Sequence, residues 1–329
     1  MRAGLFVFKF LFLSIISFSQ EAVSIQLKQK LDLLAVDKEY RISGQKIHSI
    51  EYIANLYKKN DYHPFWTKPE YVVDAILGLE GAYEDGLPSS VYHLDAIIDL
   101  EKEIEALREE NDIKTSKSAE LDLLITDGVI FYADHLLYGK VDPVTLVSTW
   151  NFGFSPIPDL NPSALSQYIE TGTIAERLKN LRPDMHLYDA LLNTLAFYRE
   201  IMSKGGWESV LAGGKIEPGN TDSRIPAIRK RLLITDELSN QDSVSSFIYD
   251  NILENDIKAF QASHGLDADG IIGAGTFREL NVPVEDRVSA IRINLERVRW
   301  VAGNMPSHYI IVNIAAFWLY VVDSGKIVH

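Results

Sequence analysis

The chain has no cysteine among its 329 residues. That absence excludes disulfide staples, zinc–thiolate sites, iron–sulfur clusters and a cysteine nucleophile within these residues. An excess of positive charge is lacking too. With 32 Lys and Arg against 46 Asp and Glu, the formal net charge is −14, the wrong sign for a general nucleic-acid binder. Beyond the N-terminus no apolar run approaches the roughly 18–20 residues of a membrane span. Gly-x-Ser-x-Gly and His-Glu-x-x-His motifs are absent, and no carboxylate pair stands out as a glycosidase site. What is present is an ordinary globular composition, 47% hydrophobic and 24% charged, long enough for two or three domains.

Residues 1–19 read as a secretory signal peptide. Arg2 and Lys9 give the positive start, Phe10–Phe18 is a short apolar stretch, and Ser17 and Ser19 precede a cut ahead of Gln20. The expectation is an exported protein, periplasmic or in the cell envelope, without a transmembrane span once the signal is removed. The lack of cysteine is compatible with a periplasm.

Residues 20–220 read as mostly helical. Gln26–Leu34, Ile47–Lys59, Pro69–Tyr83 and Asp95–Asn111 repeat apolar side chains at three- and four-residue spacing, as do Tyr168–Leu181 and Tyr188–Met202. Ala119–Tyr138 is a longer helix stopped by Gly139 with Pro143 beyond. The run Glu101–Asp112 reads as a solvated helix face. Pro156, Pro158 and Pro162 break the chain into extended loop. Three corners, Phe65-Trp66, Asp85-Gly86-Leu87-Pro88 and Gly205-Gly206-Trp207, read best as core packing between helices.

A compact segment follows at 221–283. Ile225, Ile228 and Leu232 share one helical face, and Leu253, Ile257 and Phe260 share another. Between the second helix and a short third one at Thr276–Leu280 lies Gly265-Leu266-Asp267-Ala268-Asp269-Gly270-Ile271-Ile272-Gly273. Gly265 suits a helix end, Gly270 a turn, and Thr276 a helix cap. With Gly270 at position 6 of a calcium loop, Thr276 falls where a bidentate carboxylate is required, so the loop does not read as an EF-hand. The glycine spacing also fails as a dinucleotide fingerprint. Neither metal nor cofactor is indicated.

The string Ala259-Phe260-Gln261-Ala262-Ser263-His264-Gly265-Leu266, with Asp269-Gly270-Ile271-Ile272-Gly273 and Thr276-Phe277, resembles a peptidoglycan-binding module. Leu280-Asn281-Val282-Pro283, Arg287 and Ile291–Trp300 resemble the connector of the large scaffold-bearing L,D-transpeptidases of bacterial cell walls (the YcbB type). Phe65-Trp66, Asp85-Gly86-Leu87, Leu136–Pro143 and Tyr198–Trp207 resemble the helical scaffold of that family. The resemblance implies a mostly α architecture. Its parts are a signal peptide at 1–19, a helical scaffold domain at 20–220, a three-helix peptidoglycan-binding module at 221–283, and a connector helix with a C-terminal β-hairpin stub of the catalytic domain at 284–329.

The resemblance also implies 3→3 cross-linking of peptidoglycan through a cysteine acyl-enzyme, in which a thiolate activated by imidazole attacks a stem-peptide carbonyl. Its cysteine motif has no counterpart here, so no residue is assigned a catalytic role, and His329 receives none. The chain as given is expected at most to bind peptidoglycan, as glycan strand or stem peptide, either as a chain truncated before its active site or as a complete non-catalytic binding protein. His264, Asp267 and Arg278 are the candidate contacts, each also readable as a cap or surface ion pair. Arg292, Arg297 and Arg299 read as packing and pairing along the connector helix. Tyr309–Ile314 and Phe317–Val322 read as strands, Asp323-Ser324-Gly325-Lys326 as a hairpin turn, and Ile327-Val328-His329 as a return strand.

Overall fold

The computed structural model describes residues 20–37, 39–109, 111–146, 162–302, 306–313, 318–324 and 326–328. The signal segment, Pro156 and Pro158, Phe317, Gly325 and His329 lie outside the described residues. Among those described are twelve α-helices and one three-stranded antiparallel sheet, so the chain is mostly α with a small β element near its C-terminus. The contacts divide it into two compact units. One joins the residues up to Tyr188 with those from Leu295 onward, and the other is Asp189–Asn294. The sequence divides the chain near 220 and 283, whereas the contacts divide it inside helices α8 (His186–Ser203) and α12 (Val284–Ala302).

The first unit is organised around α5 (Asp112–Tyr138), against which α1 (Gln20–Val36), α2 (Ile50–Lys59), α3 (Pro69–Glu84) and α4 (Leu94–Ala106) pack. Leu121, Leu123, Leu124, Ile125, Val129, Ile130 and Leu136 are buried around its whole circumference, the pattern of a central helix rather than a surface one. Each such side chain contributes about 1.5–3 kcal/mol by leaving water. Gly128 permits the closest approach, because a Cβ there would lie 2.6 Å from the Tyr92 carbonyl oxygen.

Two buried carboxylates of α5 pin the surrounding chain. Asp127 accepts the main-chain N–H groups of His48 and Ser49 at 2.9 and 2.8 Å and bonds His93 Nε2 at 2.8 Å. Ser49, the N-cap of α2, makes no side-chain cap bond of its own. Asp122 accepts from Phe65 N at 3.2 Å, Trp66 N at 2.8 Å and the Tyr57 hydroxyl, while Trp66 Nε1 donates to Thr126 Oγ1 at 2.9 Å. The Phe65-Trp66 corner is therefore core, as expected. Burial raises the Asp122 carboxyl to about 6, against the lowering effect of these donors.

Two boundaries differ from the sequence reading. The helix expected to run to Asn111 stops at Ala106, with Leu107 extended, and Asn111 caps α5 by accepting Lys114 N at 2.9 Å. The acidic run is thus divided between two elements instead of forming one helix face. Tyr168–Leu181 is likewise two helices, α6 (Pro162–Glu170) and α7 (Ile174–Asn180), separated at Gly172 with φ 62°.

The Asp85-Gly86 turn is the second polar centre of this unit. Asp85 is fully buried and accepts from Tyr132 at 2.5 Å, Arg182 Nε at 2.9 Å and Tyr188 at 3.2 Å. Its carbonyl oxygen accepts from Arg299 Nη2, which also donates to the Tyr188 hydroxyl at 2.8 Å. Glu296 Oε1 accepts Lys140 N and Val141 N at 2.5 and 2.8 Å and Trp300 Nε1 at 3.1 Å. Arg299 also pairs along its own helix with Glu296 Oε2 at 3.4 Å, as the sequence suggested, and reaches well beyond that helix as well.

The sheet of this unit has the order β1-β2-β3, with β1 (His308–Asn313) antiparallel to β2 (Trp318–Asp323) and β2 antiparallel to β3 (Lys326–Ile327). Ile310 pairs with Val321 and Ile311 with Tyr320, so apolar side chains occur on both faces. Ile310, Val312, Trp318, Leu319 and Ile327 are exposed.

The second unit contains most of α8, then α9 (Ile225–Ile234), α10 (Asn251–Ser263), α11 (Ala274–Leu280) and the first part of α12. Its core is Val210, Ile216, Ile225, Ile228, Leu232, Tyr249, Leu253, Ile257, Phe260, Ile272, Phe277 and Leu280 with Leu238. These are the apolar positions expected from the helical periodicity, together with residues of the connecting loops. The Gly205-Gly206-Trp207 corner packs inward. Trp207 Nε1 donates to the Val282 carbonyl at 3.1 Å, and the buried Arg231 guanidinium lies 3.6 Å from the Trp207 ring centroid.

Candidate functional site

The loop between α10 and α11 is fixed by one side chain. Gln261, near the end of α10, is 2% exposed. Its carbonyl oxygen accepts Gly270 N at 2.9 Å, while its Nε2 lies 3.1 Å from Asp269 Oδ1, 3.0 Å from Ile271 O and 3.2 Å from Thr276 Oγ1. Asp269 Oδ1 also accepts Ile271 N at 2.8 Å, closing the turn. Gly265 and Gly270 have φ of 69° and 76°, the left-handed backbone expected of them. Beneath the loop, the buried Tyr249 donates its hydroxyl to Gly270 O at 2.5 Å. The Phe-Gln, Asp-Gly and Thr of the sequence pattern are thus parts of one hydrogen-bonded unit.

Thr276 differs from its expected role. It is buried inside α11 as a partner of Gln261, and Gly273 takes the N-cap position with an extended backbone and no side-chain cap. A threonine followed by an apolar residue reads as a cap, but the amide across the loop draws its hydroxyl inward instead.

The three nominated residues have different surroundings. His264 is half-buried, stacked on Phe260 at 4.1 Å, with Nδ1 2.8 Å from Phe260 O and 2.9 Å from Ser263 Oγ. Asp267 is exposed in the loop. Arg278 is exposed on α11, and a Cβ built on Gly275 would lie 3.9 Å from its Nη2 and 3.8 Å from Leu266 Cδ2. Arg278 therefore adjoins the Leu266 end of the loop, while His264 is occupied by its own helix. No hydrogen bond joins the three among the described residues. They form no metal site, and no group of three potential ligands does so elsewhere among those residues.

A second rigid feature lies where the chain enters α10. Arg229, fully buried, donates to Ser243 Oγ at 2.7 Å, Ile248 O at 2.9 Å and Asp250 Oδ2 at 2.8 Å. Asp250 in turn caps α10 by accepting Leu253 N at 2.9 Å. Burial acts to raise the Asp250 carboxyl, but the Leu253 N–H and Arg229 outweigh it and hold it below the usual carboxylate range. Asp222 is brought down to about 2, mainly by side-chain bonding from Arg224 and also by the Arg224 N–H. Periodicity marks Arg224 and Arg229 only as polar positions at the start of α9 and on it, so neither contact was legible in the sequence.

Comparison with known families gives two matches. Residues 51–195 match a family described as Scaffold domain, and residues 236–280 match one described as Putative peptidoglycan binding domain. The first spans α2 through much of α8, and the second contains α10, α11 and the loop organised by Gln261. No curated protein matches the chain.

Proposed function

We propose that the protein acts at the bacterial cell wall by binding peptidoglycan, on the plan of the scaffold-bearing L,D-transpeptidases. The observation that carries this reading is the pairing of a scaffold match with a peptidoglycan-binding match whose pattern residues form the Gln261-centred unit. Asp267 and Arg278 remain exposed and offer a carboxylate and a guanidinium to the amines and carboxylates of a stem peptide. Binding a wall polymer requires an exported protein, consistent with the signal segment read in residues 1–19. No helix among the described residues is long and apolar enough to cross a membrane.

In the family reaction a thiolate adds to a stem-peptide carbonyl and expels the terminal residue as its amine. An amine of a second stem then displaces the thiolate, giving the 3→3 link. These 329 residues contain no cysteine, so they contribute binding and scaffolding and do not themselves form the acyl-enzyme. A binding-only envelope protein is the second reading. The genomic reading frame after the His329 codon distinguishes it from a longer transpeptidase.

Two measurements test the proposal. The chain is expected to co-sediment with purified sacculi, and failure to do so overturns peptidoglycan binding. Intact mass after carbapenem treatment is expected to be unchanged, and a covalent adduct overturns the non-acylating assignment.

A further inference from the structure

Gly275 lies within α11, where glycine weakens a helix relative to alanine. A fold requires glycine where φ is positive or where another atom crowds the Cα. Neither condition holds here. Gly275 is not among the residues of positive φ. A Cβ on it would touch Leu266 Cδ2 at 3.8 Å and Arg278 Nη2 at 3.9 Å, both ordinary van der Waals contacts.

The neighbouring glycines differ. Gly265 and Gly270 have positive φ, a Cβ on Gly270 would also lie 2.9 Å from Lys258 Cε, and one on Gly273 would meet nothing within 4 Å. The bare Cα of Gly275 alone among these leaves a gap the size of a methyl group, with a leucine methyl on one side and a guanidinium nitrogen on the other.

The walls of this gap are held in place. Leu266 N donates to the Gln261 carbonyl at 2.8 Å, and the Gln261 side chain reaches Thr276 of α11 at 3.2 Å. Phe277 and Leu280 anchor α11 in the core of the unit. A site formed before binding loses little conformational freedom on binding.

Charge narrows the choice of occupant. Arg278 is exposed, and among the described residues its side chain makes no hydrogen bond or ion pair. The adjacent Glu279 is turned to Arg287 at 2.7 Å, and Asp269, in the loop, is occupied by Ile271 N and Gln261. Arginine offers a planar fork of N–H groups that matches a carboxylate. Asp267, exposed beside Leu266, offers a carboxylate to the amine that a stem peptide also carries. A methyl-sized gap beside an unpaired guanidinium fits a residue with a methyl side chain and a free carboxylate.

We propose that the gap over Gly275 receives the C-terminal residue of a stem peptide, its methyl side chain between Leu266 and Arg278 and its free carboxylate on the Arg278 guanidinium. The assignment rests on the peptidoglycan-binding reading and names the part of the polymer recognised. Methyl and carboxylate of such a residue share one Cα. A methyl in the gap, 3.9 Å from Nη2, therefore brings the carboxylate within hydrogen-bonding reach of that nitrogen. A larger side chain does not fit the gap, and an amidated end brings no charge to the arginine.

The test uses the full chain and calorimetric titration with a synthetic stem tetrapeptide ending in D-alanine, at millimolar concentration. The free acid is expected to bind. Its C-terminal amide, and the same peptide ending in D-phenylalanine, are each expected to bind at least ~tenfold more weakly. Arg278→Gln, an exposed change, is expected to bind acid and amide equally weakly. Gly275→Ala fills the gap while favouring the helix, so it is expected to melt no lower than the wild type and yet to bind the acid at least ~tenfold more weakly. Equal binding of acid and amide by the wild type, or wild-type affinity of Gly275→Ala, overturns the assignment. A lower melting point of Gly275→Ala shows that the fold itself needs this glycine and overturns it too. Co-sedimentation of the wild type with sacculi, without binding of the tetrapeptide, overturns the terminus assignment and leaves peptidoglycan binding standing. Binding to neither removes the underlying reading and this assignment together.

Discussion

Arg299 Nη2 meets the Tyr188 hydroxyl at 2.8 Å, across 111 residues of sequence and inside the first unit. The same guanidinium satisfies the Asp85 carbonyl, and Tyr188 donates to the Asp85 carboxylate at 3.2 Å. With Arg182 and Tyr132, these groups form a buried network in which each polar atom depends on its neighbours. Arg299→Leu leaves the Asp85 carbonyl and the Tyr188 hydroxyl short of partners and is expected to cost about 3–5 kcal/mol. Urea unfolding of this unit measures the loss, and a change under about 1 kcal/mol would show that the network holds nothing.

Gly139 ends α5 with φ 84° and ψ 167°, a conformation open essentially to glycine alone. A Cβ there would lie 2.7 Å from Glu296 Oε1 and from the Trp300 ring. Gly139→Ala is expected to cost about 2–4 kcal/mol and to raise amide exchange at Lys140 and Val141, whose N–H groups bond Glu296. Unaltered exchange at both amides would contradict this account.

Gln261→Leu is close in volume but removes every bond to the loop. It leaves Gly270 N without its side-chain acceptor and Ile271 O without its amide donor. The expected loss is about 2–4 kcal/mol in the second unit, with loss of sacculus binding at concentrations where the variant is still folded. Wild-type binding by such a variant would separate the loop from the binding surface.

The two units contain carboxylates with opposite pH dependence. Asp122, raised to about 6 chiefly by burial, holds its proton more tightly folded than unfolded. Its contribution to stability is fully present below the unfolded pKa near 3.8 and is lost as pH rises through about 6. Asp222, lowered to about 2 by Arg224, contributes stability above about 3.8 and loses it as pH falls toward 2. Carboxyl carbon-13 titration should give midpoints near 6 and near 2, and a midpoint near 4 for either would refute the corresponding contact.

The C-terminal sheet exposes Ile310 and Trp318, each at 62%, and among the described residues β1 has one edge unpaired. A three-stranded sheet with apolar residues on both faces and a free edge is prone to associate. Ile310→Thr together with Trp318→Ser is expected to raise solubility while leaving the main unfolding transition unchanged. Hydrogen exchange is expected to show weak protection over His308–Asn313, and strong protection there in the isolated chain would contradict the prediction.

Much of the helical architecture was legible because apolar periodicity and glycine stops act locally. Pro69–Tyr83 and Tyr188–Met202 became helices with nearly those limits, and the Phe-Gln to Thr-Phe string marked a module before any contact was known. Boundaries failed where a side chain had two local uses. Asn111 read as the end of one helix but caps the next, α5, and Thr276 read as a cap but turns inward to Gln261.

By itself, the sequence determined a mostly helical chain with a pattern-bearing module and no thiol. Each of these properties follows from residue identity or near-neighbour spacing. Tertiary structure alone decided which charges are buried and what they hold. Asp85 lies 97 residues from Arg182, and Arg229 lies 21 from Asp250. Such pairings depend on folding to bring distant groups together and remove their water. It likewise left Phe247, Ile248 and Ile252 outside the core, a distinction periodicity could not draw because apolar side chains carry the same pattern whether or not another element covers them.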